Sequence, residues 1–331
     1  LSWTKQAIIS DGGNDVIISR TPFRISFFGG GTDYPDWFHQ HGGAVLGMTI
    51  NKYCYISVRS LPPFFEHKHR IVYSKVELVQ DICDIQHPAV RGTLSAMGIE
   101  TGLEIHHDAD LPARSGLGSS SSFTVGLVHA LHAMHGRMVT KRDLCNQAIH
   151  IEQNVLNECV GCQDQIWASY GGLNRIDFNR DGSFTVNPVI LSEGRRHELI
   201  DSLVVFFTGF PRFASEIAKE QIDNLDKSQN AHHQIQAMVD EASDLLKSPS
   251  FTVRHFGELL HESWNLKKAF GDNVTTPAID EMYETARSAG AYGGKLLGAG
   301  GGGFMVFVAE PGKKQAVRDS QPLNQRRGRS G

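Results

Sequence analysis

A glycine-rich turn running straight into an apolar helix constrains this chain more than any other feature. Residues 111–123 read LPARSGLGSSSSF, and the stretch FTVGLVHALHAMH that starts at Phe123 repeats apolar residues at helical spacing. Glycine lets a backbone approach a ligand closely, while serine caps helices or offers a hydroxyl. The helix N-terminus is thereby cleared of bulky side chains. Its unsatisfied N–H groups and positive dipole end face outward, which suits an anion. Read alone, the same residues equally describe a capped loop-to-helix turn, and Ser121 and Ser122 fit simple capping.

With 331 residues the chain can bury a large core and form one domain or two. Its 40% hydrophobic and 21% charged residues are ordinary for a soluble globular protein, and a formal charge of −4 gives no sign of nucleic-acid or membrane binding. The expected partner is a small molecule, and nothing specifies an oligomeric state. No apolar run reaches membrane-spanning length, and LSWTKQAIISDGGNDVIISR lacks the apolar block of a signal peptide, so the cytoplasm is the expected location. Cys54, Cys83, Cys145, Cys159 and Cys162 show no disulfide framework, which fits a reducing compartment. Cys159 and Cys162 form a CxxC, but a zinc site needs a second pair of ligands and no other CxxC exists.

Along the chain, VIISRTPFRISFF and then GAVLGMTINKYCYISVRS read as strands, making the first part β-rich. A helix follows the serine loop, and another is expected from Thr140 to Glu158 with Leu144, Ala148, Ile151 and Val155 on one face. YGGLNRIDF and SFTVNPVIL return to strands before the polar joint SEGRRHEL, which places a boundary near residue 195 and divides the chain into 1–195 and 196–331. Beyond it come the strand SLVVFFTGF, helical regions at 215–247 and 252–270, and a last helix from Thr276 to Gly290 with Pro277 in its first turn. KLLGAGGGGFMVFVAE is strand, glycine turn, strand; its formal GxGxxG fails as a dinucleotide fingerprint because a strand follows instead of a helix. A Walker loop fails as well, since Leu296 follows Lys295. The basic, polar stretch from about residue 316 reads as a disordered tail.

Three glycine-rich stretches in this order, PFRISFFGGGTDYP (22–35), PARSGLGSSSS (112–122) and KLLGAGGGGF (295–304), together resemble the GHMP small-molecule kinases. The resemblance covers almost the whole chain. It implies an α+β two-domain GHMP kinase fold, with a ribosomal-S5-domain-2-like N-terminal α/β domain and a ferredoxin-like C-terminal α/β domain. It stops short of the end, where the family usually adds another helix and strand. Thr32-Asp33-Tyr34 after the glycines is the galactokinase-like version and favours a sugar. Gly30 and Gly31 before it look most like the bacterial heptose 7-phosphate kinases, which implies ATP, Mg²⁺ and a sugar phosphate as partners.

Residue roles follow from the same resemblance. Phosphoryl transfer asks a protein mainly for positioning and charge stabilisation. The loop Ser115, Gly116, Leu117, Gly118, Ser119 and Ser120 is expected to cradle the ATP phosphates. Ser120 and Glu152 are the expected magnesium ligands, although a buried-edge glutamate is also compatible with a simple salt bridge. Asp164 is the candidate base or hydroxyl-orienting group, with Arg24 as its charge partner. Asp33 and Tyr34, with Gly30 and Gly31, are the expected sugar contacts. Candidate cations for a sugar phosphate are Arg114, Lys68, Arg70, Lys267 and Lys268, unranked, and the family tends to place adenine near residues 61–79.

Overall fold

The computed structural model describes residues 15–113, 115–209 and 214–321. Strand β1 (Ile17–Phe28), a short α1 (Pro35–His41) and the 18-residue β2 (Gly43–Ser60) come first, followed by β3 (His69–Val72), β4 (Val76–Val79), α2 (Pro88–Ala96) and β5 (Leu103–Ala109). Next are α3 (Ser119–Met134), α4 (Lys141–His150), α5 (Gln163–Tyr170), β6 (Leu173–Phe178) and β7 (Phe184–Pro188). The second half holds α6 (Glu193–Ser202), β8 (Leu203–Phe207), α7 (Ala214–Asp223), α8 (Leu225–Lys247), α9 (Val253–Lys267), α10 (Pro277–Ser288), β9 (Ala291–Leu296), β10 (Phe304–Ala309) and α11 (Lys314–Asp319).

The stretch read as one or two strands after the first is the single strand β2, which organises the larger sheet. One edge pairs antiparallel with β1, and the other carries β5 along residues 54–60 and β6 along residues 43–48. The order is β4-β3-β5-β2-β6-β7, with β1 paired to β2 off this path. Helix α3 packs across β1 and β2, its buried residues including Phe123, Leu127, Val128 and Leu131. β8, β10 and β9 form a smaller antiparallel sheet in that order, backed by α9 and α10. The two sheets share a core. Phe256 of α9 packs edge-on against Phe27 and Phe28 of β1, with centroids 5.4 and 5.3 Å apart, so the halves meet at the strand end that carries the first glycine motif.

Two irregularities in the β1–β2 ladder aim groups out of the sheet. Between Pro22 and Arg24, β1 advances two residues while β2 advances four, and the Arg24 N–H leaves the ladder for the Leu117 carbonyl at 3.1 Å. Pro22 has no N–H to lose at that break. Between Ser26 and Phe28 the slip is reversed, and the Phe27 carbonyl accepts a hydrogen bond from Lys295 Nζ at 2.9 Å.

Several expectations need correction. The polar stretch around residue 195 is the helix α6, capped by Ser192, so the chain passes from one sheet to the other through regular structure. The region 215–247 breaks at Asn224 into two helices. The supposed tail begins with α11, anchored because Val317 is wholly buried against the second sheet's core; residues 322–331 lie outside the described residues. The helix expected from Thr140 to Glu158 is regular only to His150 and then widens into a π-helical turn over Ile151–Val155. That turn leaves Val155 36% exposed, off the face the α-helical period gives it, while Glu152, four residues after Ala148, continues the buried stripe of α4 and is completely buried.

Candidate active site

Both halves of the chain line one cleft. From the first half, Arg24, Gly30, Gly31, Asp33, Tyr34, Gly116, Gly118, Ser119, Ser120 and Asp164 were singled out from the sequence as site residues, whereas Ser26, Ser121, Cys159, Val160, Gly161 and Gln163 also line the cleft and were not. The second contributes Ala218, Gln221, Lys267, Lys295, Gly298 and Ala299.

The glycine motif forms a tight turn that holds Asp33 rigidly. The Thr32 hydroxyl lies 2.9 Å from the carbonyls of Gly29 and Ala44, and it accepts the Ala44 N–H, pinning the turn to β2. The Asp33 carboxylate accepts N–H bonds from Gly31 at 3.1 Å and Gln163 at 3.4 Å. Gly31 has a φ of +110°, and a Cβ there would collide with Phe270; the place admits only glycine. Gly30 differs, since a Cβ would meet nothing nearer than 3.8 Å, and it contributes open space to the cleft. Burial, then the nearby Asp164 charge, pushes the Asp33 carboxyl above its ordinary pKa, and the two main-chain amides oppose that shift.

Arg24 and Asp164 meet fork to fork, Nε to Oδ1 at 2.7 Å and an Nη to Oδ2 at 2.6 Å. The remaining Nη of Arg24 donates to the Gly116 carbonyl, tying the pair to the serine loop. Arg24 is 4% exposed, which overturns its alternative reading as a surface arginine.

Helix α3 starts at Ser119 behind Gly118, which is left-handed at φ +77°, and no side chain caps it. Its first N–H groups lack intrahelical partners and lie at the cleft. The four serines are not equivalent. Ser119, Ser120 and Ser121 line the cleft, Ser121 also donating to Glu152 Oε2 at 2.9 Å, while Ser122 donates to the Pro22 carbonyl at 2.9 Å. Capping is therefore the wrong description for Ser121 and Ser122. Ser115 and Leu117 are fully buried rather than lining the cleft. The Ser115 carbonyl accepts the Phe304 N–H at 2.9 Å, joining the serine loop to the glycine turn of the second half.

Glu152 lies directly behind Ser121 and, among the described residues, forms no ion pair, contrary to the salt-bridge alternative. Gln165 Nε2 donates to the same Oε2 at 2.6 Å, whereas Oε1 is buried with no hydrogen-bond partner. Thr124 is near enough to favour the charged form, but its hydroxyl bonds the Ser120 carbonyl instead. Burial dominates and pushes the Glu152 carboxyl up to about 7.

Among the candidate cations that lie in the described residues, the fold brings Lys267 alone to the cleft. Lys268 turns outward to Asp280 at 3.5 Å, Arg70 pairs with Glu104 at 3.2 Å, Lys68 lies beside the distant β3, and Arg114 is outside the described residues. Lys295 was missed by residue-level reasoning, although it opens the third glycine motif; a lysine amid the apolar strand AYGGKLL was the available signal. Its burial, then the Arg24 charge, lowers its ammonium pKa to about 7, with Asp33 opposing. The CxxC thiols are free, and burial pushes Cys162 up to about 12. Among the described residues, no group of three His, Cys, Asp or Glu side chains converges to hold a metal, and no helix is long and apolar enough to cross a membrane.

Residues 85–172 match the GHMP kinases N terminal domain and residues 243–320 the GHMP kinases C terminal domain, together half of the chain. The chain is 28% identical to the D-glycero-alpha-D-manno-heptose 7-phosphate kinase of Campylobacter jejuni, over 92% of this chain and 94% of that protein. It is 25% identical to the bifunctional fucokinase/GDP-fucose pyrophosphorylase of Arabidopsis thaliana over 88% of this chain, which spans only 30% of that longer protein. A crystal structure described as a D-glycero-D-manno-heptose 1-phosphate kinase from Bacteroides thetaiotaomicron aligns with a TM-score of 0.76 at 26% identity, covering 94% of each chain. The three glycine motifs, the two-sheet architecture and these matches agree: the chain belongs to the GHMP kinases and is an ATP-dependent phosphotransferase acting on an alcohol group.

Proposed function

We propose that this chain is a sugar kinase that transfers the γ-phosphoryl group of ATP to the anomeric C1 hydroxyl of D-glycero-D-manno-heptose 7-phosphate, giving the 1,7-bisphosphate. The observation that carries the reading is the Arg24–Asp164 fork set between the N-terminus of α3 and the anchored Asp33. Both relatives named for a heptose support the sugar, and their names differ on where the phosphate stands.

In this reading the N–H groups of Gly116, Gly118, Ser119 and Ser120 hold the β- and γ-phosphates at the helix end. Asp33 accepts hydrogen bonds from sugar hydroxyls, with Tyr34 beside it. Asp164 orients the C1 hydroxyl and takes its proton, and Arg24 stabilises charge on the transferring phosphoryl group. A magnesium ion would be held by the Ser120 hydroxyl and the Glu152 carboxylate, whose unpartnered Oε1 behind Ser121 fits a hard cation. When bound, it would neutralise phosphate charge. Ligands beyond these two would be phosphate oxygens and water, as is usual for magnesium.

The test is a panel of heptose, fucose, galactose and N-acetylhexosamine, each with and without a terminal phosphate, with ATP turnover measured and the product's phosphate placed by ³¹P NMR. Phosphorylation of heptose 7-phosphate at C1 above all others is expected. Preference for an unphosphorylated sugar, or a product phosphate away from C1, overturns the reading.

A further inference from the structure

The three consecutive glycines after β1 are not alike. A Cβ on Gly29 would lie 1.9 Å from the Ala44 carbonyl oxygen, and one on Gly31 would lie 2.5 Å from the Phe270 ring, so close packing demands glycine at both. Gly30 has neither constraint. Its φ lies outside the left-handed region, and a Cβ there would meet Gln163 Nε2 and Ser26 Oγ, each at 3.8 Å. The fold therefore tolerates a side chain at this position, and what glycine supplies is room in the cleft.

That room is walled by two groups that have no part in the transfer described above. Ser26 follows Arg24 by two positions on β1, across an unbroken stretch of the β1–β2 ladder, so both side chains leave the same face of the strand. It lines the cleft and is 5% exposed, and among the described residues its hydroxyl has no hydrogen-bond partner. Gln163 opens α5 immediately before Asp164, and its N–H bond to Asp33 fixes the main chain beneath its side chain. Gln163 also lines the cleft, and its Oε1 is buried with no partner among the described residues. A buried polar atom left unpaired is costly, and a ligand that pairs it recovers that cost on binding. A serine hydroxyl and an amide are uncharged, and both donate and accept. The Asp33 carboxylate flanks them and repels an anion, whereas a hydroxyl satisfies both groups.

We propose that Ser26 and Gln163 determine acceptor specificity: in the space that Gly30 leaves open, they hydrogen-bond an uncharged hydroxyl of the acceptor other than the one that receives phosphate. This rests on the reading of the acceptor as a sugar, which carries such hydroxyls beside the reacting one.

The experiment measures kcat and KM for D-glycero-D-manno-heptose 7-phosphate and for D-mannose, each beside its monodeoxy analogues at the hydroxyls other than C1, on wild type, Ser26→Ala, Gln163→Met and Gly30→Ala. In wild type, loss of one particular hydroxyl should lower kcat/KM by roughly tenfold or more. Ser26→Ala should lower it by a similar factor for the parent sugar and by less than about twofold for that one deoxy analogue, where the contact is already gone, with KM for ATP unmoved. Gln163→Met should behave likewise, and Gly30→Ala should raise KM for the parent sugar severalfold by filling the space. Unliganded Ser26→Ala should melt no lower than wild type, because the hydroxyl it removes is unpaired. A clear drop in melting temperature, equal losses on the parent and all its deoxy analogues, or wild-type turnover by Gly30→Ala overturns the proposal. So does a loss confined to the phosphorylated acceptor with no hydroxyl coupled, which would place the distal phosphate in this pocket. Turnover of heptose 7-phosphate with no hydroxyl coupled to Ser26 removes the pocket and leaves the proposed substrate standing. Conversely, a wild type that prefers mannose, with one hydroxyl coupled to Ser26, removes the heptose and upholds the pocket.

Discussion

The wall that β1, its glycine turn and α3 give to the cleft works through short contiguous segments, whereas the wall from α7, α9 and β9 works through single residues. On the first, Gly116, Gly118, Ser119 and Ser120 lie within five positions of one another, and Gly30, Gly31, Asp33 and Tyr34 within another five. On the second, Gln221, Lys267 and Lys295 come from three separate elements and are each anchored to a main-chain carbonyl: Ala299, Gly298 and Phe27. The first wall needs local backbone shape, because N–H groups and a left-handed Gly118 must follow one another in order. The second needs isolated charges, which can come from anywhere the fold delivers them.

Breaking the charged pair that joins Arg24 of this wall to Asp164 of α5 should have the largest effect. Asp164→Asn keeps an acceptor but removes the charge facing Arg24 and the ability to take a proton, so kcat should fall by roughly 10²- to 10⁴-fold with ATP affinity little changed. A fall nearer tenfold in stopped-flow turnover would show that orientation, rather than proton acceptance, is its contribution.

Next comes the carboxylate behind that wall. Glu152→Gln should raise the magnesium concentration for half-maximal rate by about tenfold or more, because an amide is a poor ligand for a hard cation. Stability should respond in a way no cleft-surface group would. Folding raises the Glu152 pKa from an ordinary value near 4.5 to about 7, so the folded chain holds a proton that the unfolded chain has released. The stabilisation is fully present below about pH 4.5 and is lost as pH rises through about 7. Denaturant titrations without metal should show wild type losing stability across that window, and Glu152→Gln should flatten the slope.

The second wall is sharpened by pH. Lys295 loses its proton near 7 in the free enzyme, so an anionic acceptor should bind more weakly at pH 8 than at pH 6, by up to about tenfold in KM. Lys295→Arg, which cannot lose its charge in this range, should reduce that slope; an unchanged slope would remove Lys295 as its source.

Smaller effects test the loop backbone and the CxxC. At Gly118, with φ +77°, a Cβ would lie 3.3 Å from Asp164 Oδ2 and 3.4 Å from Arg24 Cγ. Gly118→Ala should thus lower kcat severalfold through the charged pair and cost about 1 kcal/mol in strain. Cys159→Ser should change kcat/KM less than twofold, and a large loss would revive a metal or redox role for the CxxC.

The glycine motifs, the strand-turn-strand of β9 and β10, and the helix behind the serine loop were legible because each is local: backbone shape and apolar period are written in neighbouring residues. Asp33, Asp164, Arg24 and the loop could be named from their motifs, and the fold brings them to one cleft. The burial of Glu152 was not legible. Its place four residues after Ala148 marks only the edge of an apolar stripe, and it is tertiary packing that brings Ser121 of α3 and Gln165 of α5 onto its carboxylate. Nor could the sequence choose Lys267 over Lys268, or show that Ser121 serves Glu152 while Ser122 holds β1. Adjacent residues on a helix point about 100° apart, so which one faces the cleft is fixed only when α9 packs against the second sheet and α3 against the first. The sequence by itself determined which chemical groups were on hand and the local backbone that holds phosphate. The tertiary structure decided which charges meet, because a charge acts at a distance through space and the chain's order does not record that distance.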